Sequence, residues 1–146
     1  MRKGLFFLIL VVGIFFVLSS QDPGKSFVKI NNQKVLVERA DTPSKREMGL
    51  SERSSLPQDH GMIFLFDNLG LYPFWMKGMK FNLDFVFVAN DRVVKTFEDV
   101  KYPQGNEEPI IIDSDTMFDK VIEVNAGTIK RMNIKKGDLV KISMVK

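Results

Sequence analysis

The chain contains no cysteine and a single histidine, His60. A domain without cysteine has neither disulfide bonds nor thiolate ligands, so its stability must come from its apolar core. One imidazole leaves too few ligands for an ordinary zinc site, and a Ser-His-Asp triad would have to use His60. No serine lies in a G-x-S-x-G motif and the glycines are scattered singly, so neither a nucleophile elbow nor a phosphate-binding loop is predicted.

An excess of charge of one sign is also missing from most of the chain. The formal net charge of the 146 residues is +3, but Arg2 and Lys3 supply two of the 21 basic residues. The remaining 19 face 18 acidic residues and form no long basic run. We therefore do not expect electrostatic binding to nucleic acid.

One long apolar run is present, at the N-terminus. Residues 5–18 carry no charge and follow the basic residues Arg2 and Lys3. A basic start, an apolar run of this length and small residues after it are typical of an export signal. The sequence leaves a cleaved signal peptide and an uncleaved membrane anchor open, with a buried core helix as a third alternative.

This run sets the predicted domain organisation. Residues 1–20 are predicted to be a signal peptide or N-terminal membrane anchor, residues 21–25 a linker and residues 26–146 a single β-rich domain. The domain is then secreted, periplasmic or anchored to the cytoplasmic membrane. Its contact with the membrane is expected only through residues 1–20.

Short strands dominate the predicted domain. About seven short segments alternate or are continuously apolar, and two-residue turns such as Asn31-Asn32 and Asn90-Asp91 separate some of them. Thr42 and Pro43 begin a short helix that Gly49 ends. The pattern predicts a mostly β fold, as a compact β-sandwich or a small barrel with one or two short helices.

The domain is organised around residues 61–88, which hold the only Trp and six of the 13 Phe. Two apolar runs, residues 63–66 and 83–89, predict central strands that are covered on both faces. Asp67 to Gly70 is predicted as a loop, and Pro73 prevents a long regular strand through the aromatic residues that follow. The Phe side chains expected in the core are Phe64, Phe66, Phe85 and Phe87.

Several short motifs occur in order: G-M-I-F-L-F at 61–66, F-W-M-K at 74–77, L-D at 83–84, V-I-E-V-N-A-G at 121–127 and I-K-K-G-D at 134–138. With them the chain resembles the bacterial and archaeal domain of unknown function 192 family, the uncharacterised UPF0127 family. The family pattern usually has Asn-Thr after F-W-M-K and Pro before L-D, where this chain has Gly78, Met79 and Asn82. The resemblance implies a compact sandwich or jelly-roll-like fold and no established activity.

Two charged residues of the central stretch, Lys77 and Asp84, stand among apolar neighbours. A charge that is partly buried must be paired or hydrogen-bonded. Together with Arg53 and Glu123 they are candidates for one polar cluster, in which Asp84 and Glu123 would act as general acid and base. The alternative is a structural ion pair between Lys77 and Asp84.

The aromatic segment offers a second kind of site. Trp75 and Lys77 lie two residues apart, so in extended chain they point the same way and Met76 points the other way. An exposed Trp75 would stack on sugars or apolar ligands, with Met76 anchoring the segment from beneath. Packing of these side chains under the loop 101–109 is the alternative.

The leading hypothesis is a non-enzymatic ligand-binding or accessory module outside the cytoplasmic membrane. Its candidate binding residues are Arg53, Trp75, Met76, Lys77, Asp84 and Glu123. One alternative is a small metal-independent hydrolase or lyase that uses Asp84 and Glu123, with Lys77 as electrostatic stabiliser. Another is a purely structural envelope protein. The expected partner is a small molecule, a glycan or an envelope protein, and no nucleic acid, metal or cofactor is expected.

Overall fold

The computed structural model describes residues 25–145. These residues form a mostly β fold with nine strands and two short helices, where about seven strands were predicted. In chain order the elements are β1 (Phe27–Ile30), β2 (Gln33–Ala40), α1 (Pro43–Met48), β3 (His60–Gly70), β4 (Phe74–Trp75), β5 (Leu83–Ala89), β6 (Arg92–Val100), β7 (Ile111–Ile112), β8 (Phe118–Asn125), α2 (Thr128–Met132) and β9 (Val140–Ser143).

The predicted export segment, residues 1–20, lies outside the described residues. Among residues 25–145, neither helix has the length and apolar character needed to cross a membrane.

Local turn chemistry determines where the elements begin and end. Asn31 and Asn32 join β1 to β2 with φ of 49° and 63°, and Asn90 and Asp91 join β5 to β6 with φ of 50° and 58°. Two successive residues with positive φ form the turn that matches the twist of a tight hairpin, and Asn and Asp tolerate this conformation. Both predicted turns are therefore confirmed.

Helix α1 is also confirmed and is fixed against the sheet at its end. The Thr42 hydroxyl accepts a hydrogen bond from the Lys45 N–H at 3.3 Å, and Pro43 occupies the first turn. Gly49 ends the helix with φ of 51°, and a Cβ at this position would lie 3.3 Å from the Phe64 ring. This close contact places the C-terminal end of α1 directly over β3.

Seven strands form one sheet in the order β6-β5-β8-β3-β2-β1-β9. All neighbours are antiparallel except β2 and β3, which are parallel and are connected through α1. The prediction of a loop at Asp67 to Gly70 is wrong, because β3 continues through these residues to pair Gly70 with Phe118 after a register shift. Strands β4 and β7 form a separate two-stranded ribbon.

The sheet curls until its two end strands meet at one end. The Val93 N–H donates to the Asp138 carbonyl at 3.0 Å, and the Gly137 N–H donates to the Val93 carbonyl at 2.7 Å. The Val140 N–H donates to the Asp91 carbonyl at 2.9 Å. These bonds join β6 to the chain entering β9, so the sheet has the form of a curled half-barrel.

Each face of the sheet carries its own apolar cluster. All seven strands contribute to the first cluster, which therefore lies on the concave face and consists mostly of Val and Ile, together with residues from α2. The second cluster covers the outer face of the central strands under α1 and the β4–β7 ribbon. It contains the predicted core residues Phe64, Phe85 and Phe87, and Phe66 packs against it half-buried.

Asp84 lies on the concave side and is fully buried. Its Oδ1 accepts a hydrogen bond from the Asp99 N–H and its Oδ2 accepts one from the Ile129 N–H, both at 2.8 Å. The backbone of Asp99, near the end of β6, has an unusual φ of 49°. The Asp84 carboxylate therefore fixes this conformation as well as the first turn of α2. Its contacts are those of a structural residue that joins β5, β6 and α2.

We expect Asp84→Ala to lower the free energy of unfolding by about 2–6 kcal/mol, because it leaves two backbone N–H groups without an acceptor at about 1–3 kcal/mol each. Urea denaturation followed by circular dichroism measures the change. Asp113→Ala is the matched control, since Asp113 is exposed. Equal unfolding midpoints for the two variants would contradict the role given to Asp84.

Candidate functional site

A pocket of about 350 Å³ opens on the outer face of the sheet, between α1 and the segment that carries β4. Five aromatic side chains line it: Phe64, Phe66, Tyr72, Phe74 and Trp75. Met48, Leu50 and Met79 add apolar surface. We call it the aromatic pocket. Its volume is at the lower end of the range for sites that enclose a small organic molecule.

The aromatic wall is held by its own packing. Phe66 and Tyr72 stack with ring centroids 4.0 Å apart and planes 10° apart. Phe74 contacts Phe64 edge-on at 5.1 Å and Phe66 at 6.2 Å. Rings packed against one another in these geometries stabilise one arrangement. The wall is therefore formed before any ligand arrives.

Glu123 lies in this apolar surrounding. It sits on β8 directly opposite Met62 of β3 and Phe85 of β5, and only 5% of its surface is exposed. Within residues 25–145 its carboxyl group has no hydrogen-bond or ion-pair partner. Burial raises the pKa of Glu123 to about 8. At neutral pH the side chain is therefore a neutral carboxylic acid that can donate one hydrogen bond into the pocket.

Two basic side chains line the same pocket. The Arg46 Nη1 donates to the Leu65 carbonyl at 2.8 Å, and the guanidinium lies 5.0 Å from the centre of the Phe66 ring. Lys77 is exposed and has no acidic partner within 4.0 Å among the described residues. The exposed Glu47 is the acidic residue at the mouth.

The aromatic segment alternates as its spacing predicts. Trp75 is 43% exposed and lines the pocket together with Lys77, whereas Met76 is fully buried in the outer cluster beneath them. Trp75 lies opposite Ile111 in the β4–β7 ribbon. The ribbon thus presents Trp75 at the pocket and anchors it through Met76.

The structure does not bring the four predicted charged residues together. Arg53 forms two hydrogen bonds with Glu38, at 2.6 and 2.9 Å, which lower the pKa of Glu38 and raise that of Arg53. The predicted ion pair between Lys77 and Asp84 is not formed, since Lys77 is exposed and Asp84 binds backbone N–H groups on the concave side.

Asp84 and Glu123 point to opposite faces of the sheet. Asp84 lies opposite Val124 and Phe85 lies opposite Glu123, so the two carboxyl groups are one residue out of phase. Neighbouring residues of a strand point to opposite faces, and a one-residue offset therefore separates them by the thickness of the sheet. The predicted pairing of these carboxylates is wrong for this reason.

Several pocket residues have no signal in the sequence. Arg46 and Met48 lie on a short helix whose sequence reveals its caps but not what it covers, and Tyr72 follows a strand that was predicted to end earlier. Within residues 25–145, no three His, Asp or Glu side chains are grouped so as to hold a metal ion.

Comparison with known proteins finds a family but no characterised relative. The DUF192 family model, described as "Uncharacterized ACR", matches residues 26–142. A crystal structure from Sinorhizobium meliloti 1021, provisionally described as a transcription regulator, is 32% identical, with 81% of this chain and 92% of that chain covered and a TM-score of 0.72.

A protein of unknown function from Novosphingobium aromaticivorans DSM 12444 has a similar crystal structure. It is 29% identical, with 80% of this chain and 83% of that chain covered and a TM-score of 0.68. No match is found among the curated proteins.

Met76→Ala should lower the free energy of unfolding by about 2–5 kcal/mol, because it empties a fully buried site. Trp75→Ala should change it by less than about 1 kcal/mol, because much of the ring is already in solvent. Thermal melts followed by circular dichroism compare the two variants. The opposite order would show that Trp75, not Met76, anchors the ribbon.

The Glu123 proton makes stability depend on pH. The folded protein keeps this proton up to about pH 8, whereas an unfolded carboxyl releases it near 4.5. The contribution of this proton to the free energy of unfolding is therefore complete below pH 4.5 and is lost as the pH rises to about 8. Over this interval the free energy of unfolding falls by up to about 1.4 kcal/mol per pH unit. Relative to Glu123→Gln, which cannot titrate, the wild-type urea midpoint should fall over this interval. Parallel curves for the two proteins would contradict the assignment.

Proposed function

Since this chain belongs to the DUF192 family of uncharacterised proteins, we propose its function from its own geometry: it is a binding module for a small organic molecule. The ligand would place an apolar, ring-sized body against the aromatic wall. A hydrogen-bond acceptor on the ligand would accept a hydrogen bond from the protonated carboxyl of Glu123. For its place in the cell we keep the expectation drawn from residues 1–20, a module outside the cytoplasmic membrane.

The observation that carries this proposal is the unpartnered carboxyl of Glu123 in a formed pocket. Burying a polar group without a hydrogen bond costs about 1–3 kcal/mol in proteins. An apolar side chain would fill the same position between Met62 and Phe85 without that cost. A ligand acceptor would supply the missing hydrogen bond, which gives the buried acid a use that a purely structural protein would not have.

The enzymatic alternative has less support. A general acid and a general base must both reach the reacting atoms. Asp84 lies on the other face of the sheet from Glu123 and already accepts two backbone hydrogen bonds. The predicted acid–base pair of Asp84 and Glu123 therefore cannot act on one ligand in the pocket, and binding without catalysis accounts better for the site.

The charge balance of this chain gives no support for extending to it the description of the Sinorhizobium meliloti protein as a transcription regulator. Binding to DNA depends on neutralising phosphates with Lys and Arg. Here 19 basic residues outside the N-terminal pair are balanced by 18 acidic ones. A glycan is also a weaker candidate than a small molecule, because the pocket is lined mainly by apolar side chains.

A matched pair of ligands tests the proposal. 2-Acetylnaphthalene carries a carbonyl acceptor, and 2-isopropenylnaphthalene has nearly the same shape without it. We expect the wild-type protein to bind the ketone about three- to tenfold more tightly, the contribution of one hydrogen bond. Titration followed by Trp75 fluorescence measures both affinities, because Trp75 lines the pocket and is the only Trp in the chain.

The variants assign the preference to Glu123. Glu123→Leu should bind both compounds equally, whereas Glu108→Leu, which replaces an exposed acid away from the pocket, should retain the preference. Circular dichroism checks that both variants are folded. Failure of the wild-type protein to bind either compound, or an unchanged preference in Glu123→Leu, would refute the proposed function.

A further inference from the structure

We infer that the ligand of the aromatic pocket is an organic anion, whose negative group lies at the mouth between Arg46 and Lys77. This inference rests on the proposed function and adds the charge of the ligand to it. The apolar body of such a ligand would occupy the aromatic wall, and its carboxylate, sulfonate or phosphate would remain near solvent.

Arg46 is already oriented for an anion. One of its N–H groups is bound to the Leu65 carbonyl at 2.8 Å, and its guanidinium lies over the Phe66 ring. A guanidinium has five N–H donors, so donors remain after this bond is made. Because the side chain is held in place, little further freedom is lost when it binds a planar or tetrahedral anion.

Lys77 supplies a second positive charge that the protein does not neutralise. Two lysines of neighbouring segments have acidic partners: Lys45 pairs with Asp41 at 3.0 Å, and Lys80 pairs with Glu52 at 3.2 Å. Lys77 has no such partner within 4.0 Å among the described residues, although it lines the pocket. Its charge is therefore available to a ligand.

The acidic groups of the pocket do not cancel these charges at neutral pH. Burial raises the pKa of Glu123 to about 8, so this side chain is mostly uncharged at pH 7. Among the residues that line the pocket, this leaves one negative side chain, Glu47, and two positive ones, Arg46 and Lys77. The balance at the mouth is positive.

A cationic ligand is the main rival, because aromatic pockets also bind ammonium groups over ring faces. Here Arg46 already lies over the face of Phe66, which in turn stacks on Tyr72 at 4.0 Å. A second cation at this wall would be repelled by the guanidinium. A cationic ligand would also be repelled by Lys77. It would find no negative charge at the floor of the pocket, because Glu123 is protonated there.

Two fluorescent probes that differ in one charge test the inference. 1-Anilinonaphthalene-8-sulfonate and N-phenyl-1-naphthylamine share the same rings, and the second lacks the sulfonate. We expect Lys77→Met to lower the affinity for the sulfonate about fivefold and to leave that for the neutral probe unchanged. Added salt should weaken sulfonate binding to the wild-type protein in the same selective way.

Lys80→Met is the matched control, because Lys80 is also exposed but is paired with Glu52 and does not line the pocket. It should leave both affinities within about twofold, the effect of an exposed charge at a distance. Competition with 2-acetylnaphthalene checks that the probes occupy the aromatic pocket. A sulfonate that is not displaced would overturn the inference.

The outcomes separate the two proposals. If both probes bind tightly and Lys77→Met changes neither affinity, the inference that the ligand is an anion is refuted, while the proposed binding function stands. Tighter binding of a cationic analogue, (1-naphthylmethyl)trimethylammonium, would do the same in favour of the rival ligand class. If no naphthalene compound binds the wild-type protein, the proposed function itself fails and the inference fails with it.

Discussion

The structure depends on the strict alternation of side chains along the three central strands, β5, β8 and β3. Both faces of these strands are covered along most of their length, so a side chain there must be apolar, must find a polar partner or must give up its charge. Small branched residues such as Val86 and Ile122 fill the concave side, and aromatic residues such as Phe85 and Phe87 cover the outer side. Helix α1 and the segment that carries β4 lie over these outer rings. The aromatic pocket is the space that remains between them.

The two buried acidic residues of these strands, Asp84 and Glu123, are accommodated in different ways. Asp84 stays within the fold and accepts two backbone hydrogen bonds, so its free-energy cost is offset locally. Glu123 has no partner among the described residues and remains protonated instead. A protonated acid in an apolar wall is a hydrogen-bond donor without an acceptor. The two residues occupy adjacent strands with similar apolar neighbours, and only their contacts distinguish the hydrogen-bonded carboxyl of Asp84 from the unpartnered one of Glu123.

The sequence predicts what depends on neighbouring residues and misses what depends on distant ones. The turns at Asn31 and Asn90 and the cap at Thr42 are local conformational preferences, and all three are observed where they were predicted. The phase between Asp84 and Glu123 depends on the register of β5 against β8, and a shift of one residue reverses it. A single sequence does not contain that register. The importance of Arg46 likewise depends on the placement of α1 over Phe66, a contact between segments that only the folded chain brings together.

The pairing of β1 with β9 joins the first strand of the described fold to the last. Asn31 reinforces this junction through a hydrogen bond to Asp138, 107 residues further along the chain. During synthesis, β1 can pair with β2 as soon as the first hairpin has left the ribosome, but its other edge stays open until β9 has been made. Contacts of such long range slow folding, because most of the chain must be ordered before they form. The half-barrel therefore closes late, and a nascent chain that lacks β9 exposes the outer edge of β1 together with one end of the concave apolar face.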